Sequence, residues 1–214
     1  MKTRDRIVHT ALEMFNSDGE RNVTTNHISS QLEISPGNLY YHFRNKQEIV
    51  REIFSLYSKE LIERFSPVQG QQESLGLLKH YLDSIFTLMW KYRFFYANLP
   101  EILQRDPELH TDYINVQDRL QGNLINILKA FVDMNLLALK EKELKSLVVT
   151  LHLMAVSWLS YRSAMSPKTR ITEEVVQQGM LQMINAVKPL ATEKGSEQLA
   201  LLEDGVKMMK SSTI

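Results

Sequence analysis

Gly37, Asn38 and Tyr41 fall close together in the stretch SPGNLYYHF, and these residue types at this spacing suit contact with the edges of nucleic-acid bases. Asparagine can pair in two-pronged fashion with adenine. Tyrosine offers a hydroxyl to phosphate or an apolar edge to a thymine methyl. Glycine lets a backbone approach closely. At a turn of about 100° per residue, a helix that buries Leu39 and Phe43 puts Tyr41 almost opposite them, with Gly37 and Asn38 beside it. Tyr40 comes out half inward. Thr25 and Asn26 stand where a preceding helix would begin, and free N–H groups at such a start suit a phosphate. His42, Arg44 and Lys46 follow the reading segment and could hold the sugar–phosphate backbone.

Those side chains need a scaffold, and the local signals supply one. Ile7, Val8, Ala11, Leu12 and Phe15 recur at helical spacing before Asp18-Gly19, a stop signal. Thr24 or Thr25 can cap a second helix that turns Ile28 and Leu32 inward. After a turn at Glu33-Ile34, Ser35 can cap a third helix with Pro36 at its first position, where a missing N–H costs nothing. Asn45 caps a fourth helix with Val50, Phe54, Tyr57, Leu61 and Phe65 along one stripe, ending near Pro67. That stripe is longer than a three-helix head can cover. Its far half is expected to pack on a second unit, making the fourth helix a continuous strut.

The remainder reads as helices too. They are expected at about 74–95, in a short element opening at Pro100, from Asp106-Pro107 to about Phe131, at about 141–165, at 172–188 and at 196–209. The sequence predicts an all-α fold: an N-terminal three-helix helix-turn-helix head, residues 1–47, joined by the long fourth helix to a helical regulatory and dimerisation body, residues 48–214.

The chain has 214 residues, no cysteine and a formal net charge of zero. Cysteine chemistry and disulfides are excluded, and a cytoplasmic protein is the simpler expectation. Neutrality argues against broad coating of nucleic acid but not against two small contact patches. The start has no signal-peptide pattern, and no membrane association is expected. Six histidines, at positions 9, 27, 42, 80, 110 and 152, form no HExxH pair, and neither a phosphate loop nor a cofactor motif occurs. Neither catalysis nor a bound metal is expected.

Residues 4–54 resemble the DNA-binding domain of the tetracycline-repressor (TetR/AcrR) family of bacterial transcriptional regulators. The matching pieces are Val23-Thr24-Thr25, Ile28, Leu32, Ile34-Ser35-Pro36-Gly37, Leu39-Tyr40-Tyr41-His42-Phe43 and Lys46. The resemblance implies that the third helix enters the major groove of a palindromic double-stranded DNA operator. It places Thr25, Tyr40, His42 and Lys46 at phosphates, and Ser35, Gly37, Asn38 and Tyr41 at or near base edges, with Asn26 and Pro36 alongside. Two positions depart from the family pattern: Ser29 replaces a small alanine, and Glu33-Ile34 stands where Gly-Val is commoner. The resemblance further implies a homodimer paired through late helices, a ligand cavity in the body, and repression lifted by a small effector.

Within the body, Phe86, Met89, Trp90, Arg93, Phe94, Tyr113, Met154 and Trp158 are the candidate lining for an apolar or amphipathic effector. The alternative is that they are core, and that the body takes a protein partner or nothing. The helices at 141–165 and 172–188 are the expected dimer contact. Leu159, Val175, Val176, Gly179, Met180, Met183 and Val187 are its candidate residues, some of them shared with the monomer's own core.

Overall fold

In the computed structural model, residues 2–67, 73–166 and 170–208 are described. Four helices build the N-terminal part: α1 (Thr3–Asp18), α2 (Thr25–Gln31), α3 (Pro36–His42) and α4 (Lys46–Arg64). Their starts follow the sequence signals. Thr24 accepts the His27 amide, Ser35 accepts the Asn38 amide with Pro36 next in line, and Asn45 accepts the Glu48 amide. Ile7, Phe15, Ile28, Leu39, Phe43 and Ile49 are almost wholly buried, so all four helices share one core. Ser29 is buried where the family favours alanine, and its hydroxyl donates to the Asn26 carbonyl at 3.0 Å. The departure therefore leaves no unpaired group.

Glu33 is the costlier departure. The Ile34 amide donates to Ser29 and the Glu33 amide to Ser30, which closes α2 with a Schellman motif. The motif's left-handed position is Glu33, at φ 55°. A side chain there costs about 1–2 kcal/mol, partly offset because glycine loses more freedom on folding. Glu33→Gly is expected to stabilise the protein by about 0.5–1 kcal/mol and raise the melting temperature by about 2 °C. An unchanged or lower melting temperature in a calorimetric scan would refute the strain.

The body comprises α5 (Ser74–Lys91), α6 (Arg93–Arg105), α7 (Pro107–Asp133), α8 (Glu141–Met165), α9 (Glu173–Val187) and α10 (Glu193–Met208). Asp106 caps α7 ahead of Pro107, and Thr172 caps α9, both at the expected positions. Leu199, Leu202 and Val206 form the buried side of α10 as the spacing predicts; Met209 and Pro167 lie outside the described residues.

The helix expected at 74–95 is a correction. It stops at Lys91, and α6 starts at Arg93 with a kink at Asn98 ahead of Pro100. The cause lies in the head. Asn16 of α1 donates its side-chain amide to the Lys91 carbonyl at 2.8 Å and accepts the Phe94 amide at 3.0 Å. One distant side chain thus satisfies a carbonyl at the end of α5 and an amide at the start of α6. Beside it Phe94 is buried with its ring 5.3 Å from that of Phe15.

Residue α4 positions run from head to body without interruption. Val50, Ile53, Phe54, Tyr57 and Leu61 are buried, as the strut expectation requires. Arg51 reaches sideways from α4 and holds Asp106 through two bonds of 2.7 and 2.8 Å, and Glu108 as well.

Candidate DNA-reading surface and body cavity

On α3 the two inward residues, Leu39 and Phe43, leave the opposite side free. Tyr41 is 84% exposed, and Gly37 and Asn38 are exposed beside it. A Cβ added at Gly37 would meet only the Ser35 hydroxyl, at 3.9 Å. No close contact among the described residues requires glycine there. Ser35 and Pro36 form the exposed helix start, with the Ser35 hydroxyl capping the Asn38 amide. Tyr40 is half-exposed and its hydroxyl lies 3.0 Å from that of Thr25, linking the starts of the two expected phosphate contacts. Asn26 is exposed on the first turn of α2. His42 ends α3 with its ring edge-on to Tyr41 at 5.1 Å. Nine of the ten expected DNA contacts lie on α2, on α3 or at the start of α3, at least partly exposed.

Lys46 is the exception. Its ammonium pairs with the Glu20 carboxylate at 2.9 Å and donates to the carbonyls of Glu20 and Val23 at 2.7 and 3.1 Å. All three donors face inward, so its side chain ties α4 to the segment after α1 rather than reaching for phosphate. Periodicity marked it as a basic residue after the reading helix but could not show the carboxylate behind it.

The body contains an apolar cavity of about 190 Å³. Its walls come from α4, α5, α6, α7, α8, α9 and α10, with Tyr57 and Leu61 of the strut and Phe65 at its end among them. Of the eight expected lining residues only Met89 reaches it. Phe86 and Trp90 sit on the adjacent side of α5, and Arg93 stacks on Trp90 at 4.1 Å while donating to its carbonyl. Phe94 packs toward Phe15 and Tyr113 toward Phe54. Met154 packs against the core outside the cavity wall. Trp158 donates its indole N–H to the Val175 carbonyl at 2.6 Å. Aromatic enrichment pointed to the wrong groups; leucine is the commonest lining residue, and the aromatic ones are Tyr57, Phe65, Tyr81, Tyr96 and Phe131.

The expected dimer residues also need correcting. Leu159, Val176, Gly179, Met180 and Met183 are buried within the chain, and Val175 and Val187 are only partly exposed. A Cβ at Gly179 would lie 2.6 Å from the Trp158 ring, so this glycine admits its own chain's tryptophan rather than a second copy. Among the described residues of the body, four exposed large apolar side chains share α8, namely Val149, Leu153, Tyr161 and Met165, while Leu56 on α4, Ile114 on α7 and Leu201 and Met208 on α10 are exposed elsewhere. Ser146, Thr150, Ser157 and Ala164 are exposed around Leu153, on the side of the helix opposite His152 and Ala155. By length and composition alone α8 is apolar enough to cross a membrane, yet it packs on α6, α7 and α9.

Residues 7–53 match the model for bacterial regulatory proteins of the tetR family, and residues 56–199 match that for the TetR bacterial transcriptional repressor. The chain belongs to the tetR family. It is a sequence-specific DNA-binding transcriptional regulator, and the family's members are not enzymes. A TetR-family transcriptional regulator from Marinobacter aquaeolei VT8 is 34% identical, with a TM-score of 0.85 over 96% of this chain and 99% of that one. The negative transcriptional regulator of the biofilm operon icaADBC, IcaR of Staphylococcus epidermidis, is 27% identical across 80% of this chain and 89% of its own length. A transcriptional regulator from Saccharomonospora viridis, solved in complex with choline, shares the fold at TM-score 0.67 and 15% identity, over 89% of this chain and 98% of its own.

Proposed function

We propose that this regulator is a homodimeric repressor that grips a palindromic operator in the cytoplasm and lets go when a small molecule fills the body cavity. The observation that carries the DNA half is the bare outer side of α3, with Tyr41 84% exposed above a fully buried Leu39. Gly37, Asn38 and Tyr41 read bases; Thr25, Tyr40 and His42 hold phosphates. A seven-residue reading helix offers few contacts, so two copies must act together on successive major-groove faces about 34–36 Å apart. The outward stripe of α8 around Leu153 is the natural pairing surface, with α9 alongside. The boundary between the reading head and the body lies at the start of α4, near residue 47.

The cavity favours effector control over a body that binds nothing. Two of its lining residues, Tyr57 and Leu61, belong to α4 and a third, Phe65, caps its end; the first turns of the same helix pack in the head core. The Tyr57 hydroxyl on α4 lies 3.1 Å from that of Tyr96 on α6, a buried polar link between strut and body. A molecule that prefers a displaced α4 shifts the population toward a head spacing that no longer fits DNA, in proportion to that preference.

Selection of binding sites from a random DNA pool at a stated moderate salt concentration tests this reading. An enriched palindrome with half-sites about one helical turn apart is expected; enrichment of single half-sites, or none, would sink it. With that operator in hand, Asn38→Ala and Tyr41→Ala are each expected to weaken binding by about ten- to a hundredfold. Helicity and oligomeric state should not change. Equal affinity in a gel-shift titration would remove α3 as the reading helix.

A further inference from the structure

Among the described residues that line the cavity there is no aspartate, glutamate, lysine or arginine. Its polar lining groups are three tyrosines and one histidine. Tyr57 and Tyr96 bond each other at 3.1 Å, and Tyr81 donates to the Ser66 carbonyl at 3.2 Å. His152 of α8 is different: among the described residues it has no hydrogen bond and no ion pair. Burial pushes its pKa down, so at neutral pH the ring is uncharged and offers one donor and one acceptor. An apolar cavity of about 150 Å³ holds benzene, and this one measures about 190 Å³.

We infer that the cavity takes one uncharged, largely apolar molecule the size of a singly substituted ring, its hydroxyl hydrogen-bonded to His152. The assignment rests on the reading of the cavity as an effector site and names the class of that effector. An ion entering here would lose its water and find no opposite charge, a cost that excludes cations and anions alike. Choline, with which the Saccharomonospora viridis protein was solved, carries a fixed charge with no carboxylate opposite it here and is expected not to bind. A bare hydrocarbon would fill the space but leave the imidazole unpaired, whereas a hydroxyl completes its hydrogen bond. The apolar end of the same molecule rests against Tyr57, Leu61 and Phe65, the strut's share of the wall. His152 lines the cavity while Leu153, about 100° further round α8, is exposed, so the occupant also touches the helix we assign to pairing.

Calorimetric titration of the full chain with four probes tests the assignment. 4-Ethylphenol is expected to bind once per chain and about tenfold more tightly than ethylbenzene; choline and 4-ethylbenzoate are expected to give no binding. In His152→Leu the preference for the phenol should vanish while ethylbenzene still binds. In His152→Gln, which keeps a hydrogen-bonding group, part of the preference should remain. Equal affinity for phenol and hydrocarbon in the unaltered protein overturns the assignment. So does binding of either ion, a preference that survives His152→Leu, or no binding of either neutral probe. The four-probe comparison on the unaltered protein stands even where a variant fails to fold. DNA release is measured separately, by adding 4-ethylphenol to the operator complex. A cavity that binds the phenol without loosening DNA leaves this assignment intact and sinks effector control.

Discussion

Leu153→Glu is expected to split the dimer and, with it, operator binding. Leu153 is 59% exposed at the centre of the α8 stripe, opposite the cavity-facing side of the helix. Ser146, Thr150, Ser157 and Ala164 around it are small enough to let a second copy of α8 come close. On a two-fold axis the substitution places two carboxylates where two leucines would meet, so like charges are desolvated together. The variant should elute as a 24.9 kDa monomer and keep its helicity, because the replaced side chain makes no part of the buried core. Operator affinity should fall by at least about a hundredfold, since linking two half-site contacts contributes about 10²–10⁴. Retention of a dimer with full operator affinity would show that pairing runs through another surface. The result also separates the two roles of α8: a monomeric variant that still binds a cavity ligand proves that the cavity belongs to one chain.

The sequence made the head legible because its determinants are local. Thr24, Ser35 and Asn45 sit one residue before the helices they cap, and the angle between Leu39 and Tyr41 follows from helical turn alone. The same locality explains the departures. The break between α5 and α6 is held by Asn16, some 75 residues upstream, and no pattern inside 74–105 encodes that partner. Lys46 reads as a basic residue beside a DNA-contacting helix until Glu20 is brought behind it by the fold. In the body, α8 is apolar on more than one side, with Leu147 and Leu159 buried and Val149 and Leu153 exposed. Periodicity predicted helices at 141–165 and 172–188, but it did not distinguish the side facing the chain's own core from the side left bare. Gly179 looked like a contact point between copies, and the true reason for its missing side chain is the ring of Trp158. Cavities are harder still: they are defined by what several distant helices fail to fill. Phe94, Trp90 and Trp158 each found a partner elsewhere, leaving leucines around the space.

Glu20 is where the head and the body are fastened, and its removal is expected to loosen both. Its carboxylate is almost fully buried after α1. It pairs with Lys46 at the start of α4 at 2.9 Å and with Arg105 at the end of α6 at 2.6 Å. Beside it Arg21 and Arg105 both engage Glu101, so the segment after α1 is tied to α6 by two crossing pairs. Burial alone would raise the Glu20 pKa; the bonds from Arg105 and Lys46 outweigh it, and the net shift is downward. Breaking a wholly buried pair costs about 3–5 kcal/mol. Because Arg105 is itself partly exposed, screening reduces this, and Glu20→Gln is expected to cost about 2 kcal/mol. That corresponds to a fall of about 6 °C in melting temperature. A carboxylate with a lowered pKa in the folded state contributes stability above its ordinary titration range and loses it as pH falls through the lowered value. The gap between the two proteins should therefore be full at pH 7 and narrow steadily below about pH 4.5. Matched thermal melts across that range check both the size and the direction. A gap that is absent at pH 7, or one that does not shrink in acid, would mean the carboxylate is not the fastening. Functionally, the Glu20→Gln protein keeps its reading face, since no residue of α3 touches Glu20 among the bonds that hold it. Operator affinity should thus fall only a few-fold, while the effector concentration needed for release should rise, because a head less firmly joined to α6 follows the body's movement less faithfully.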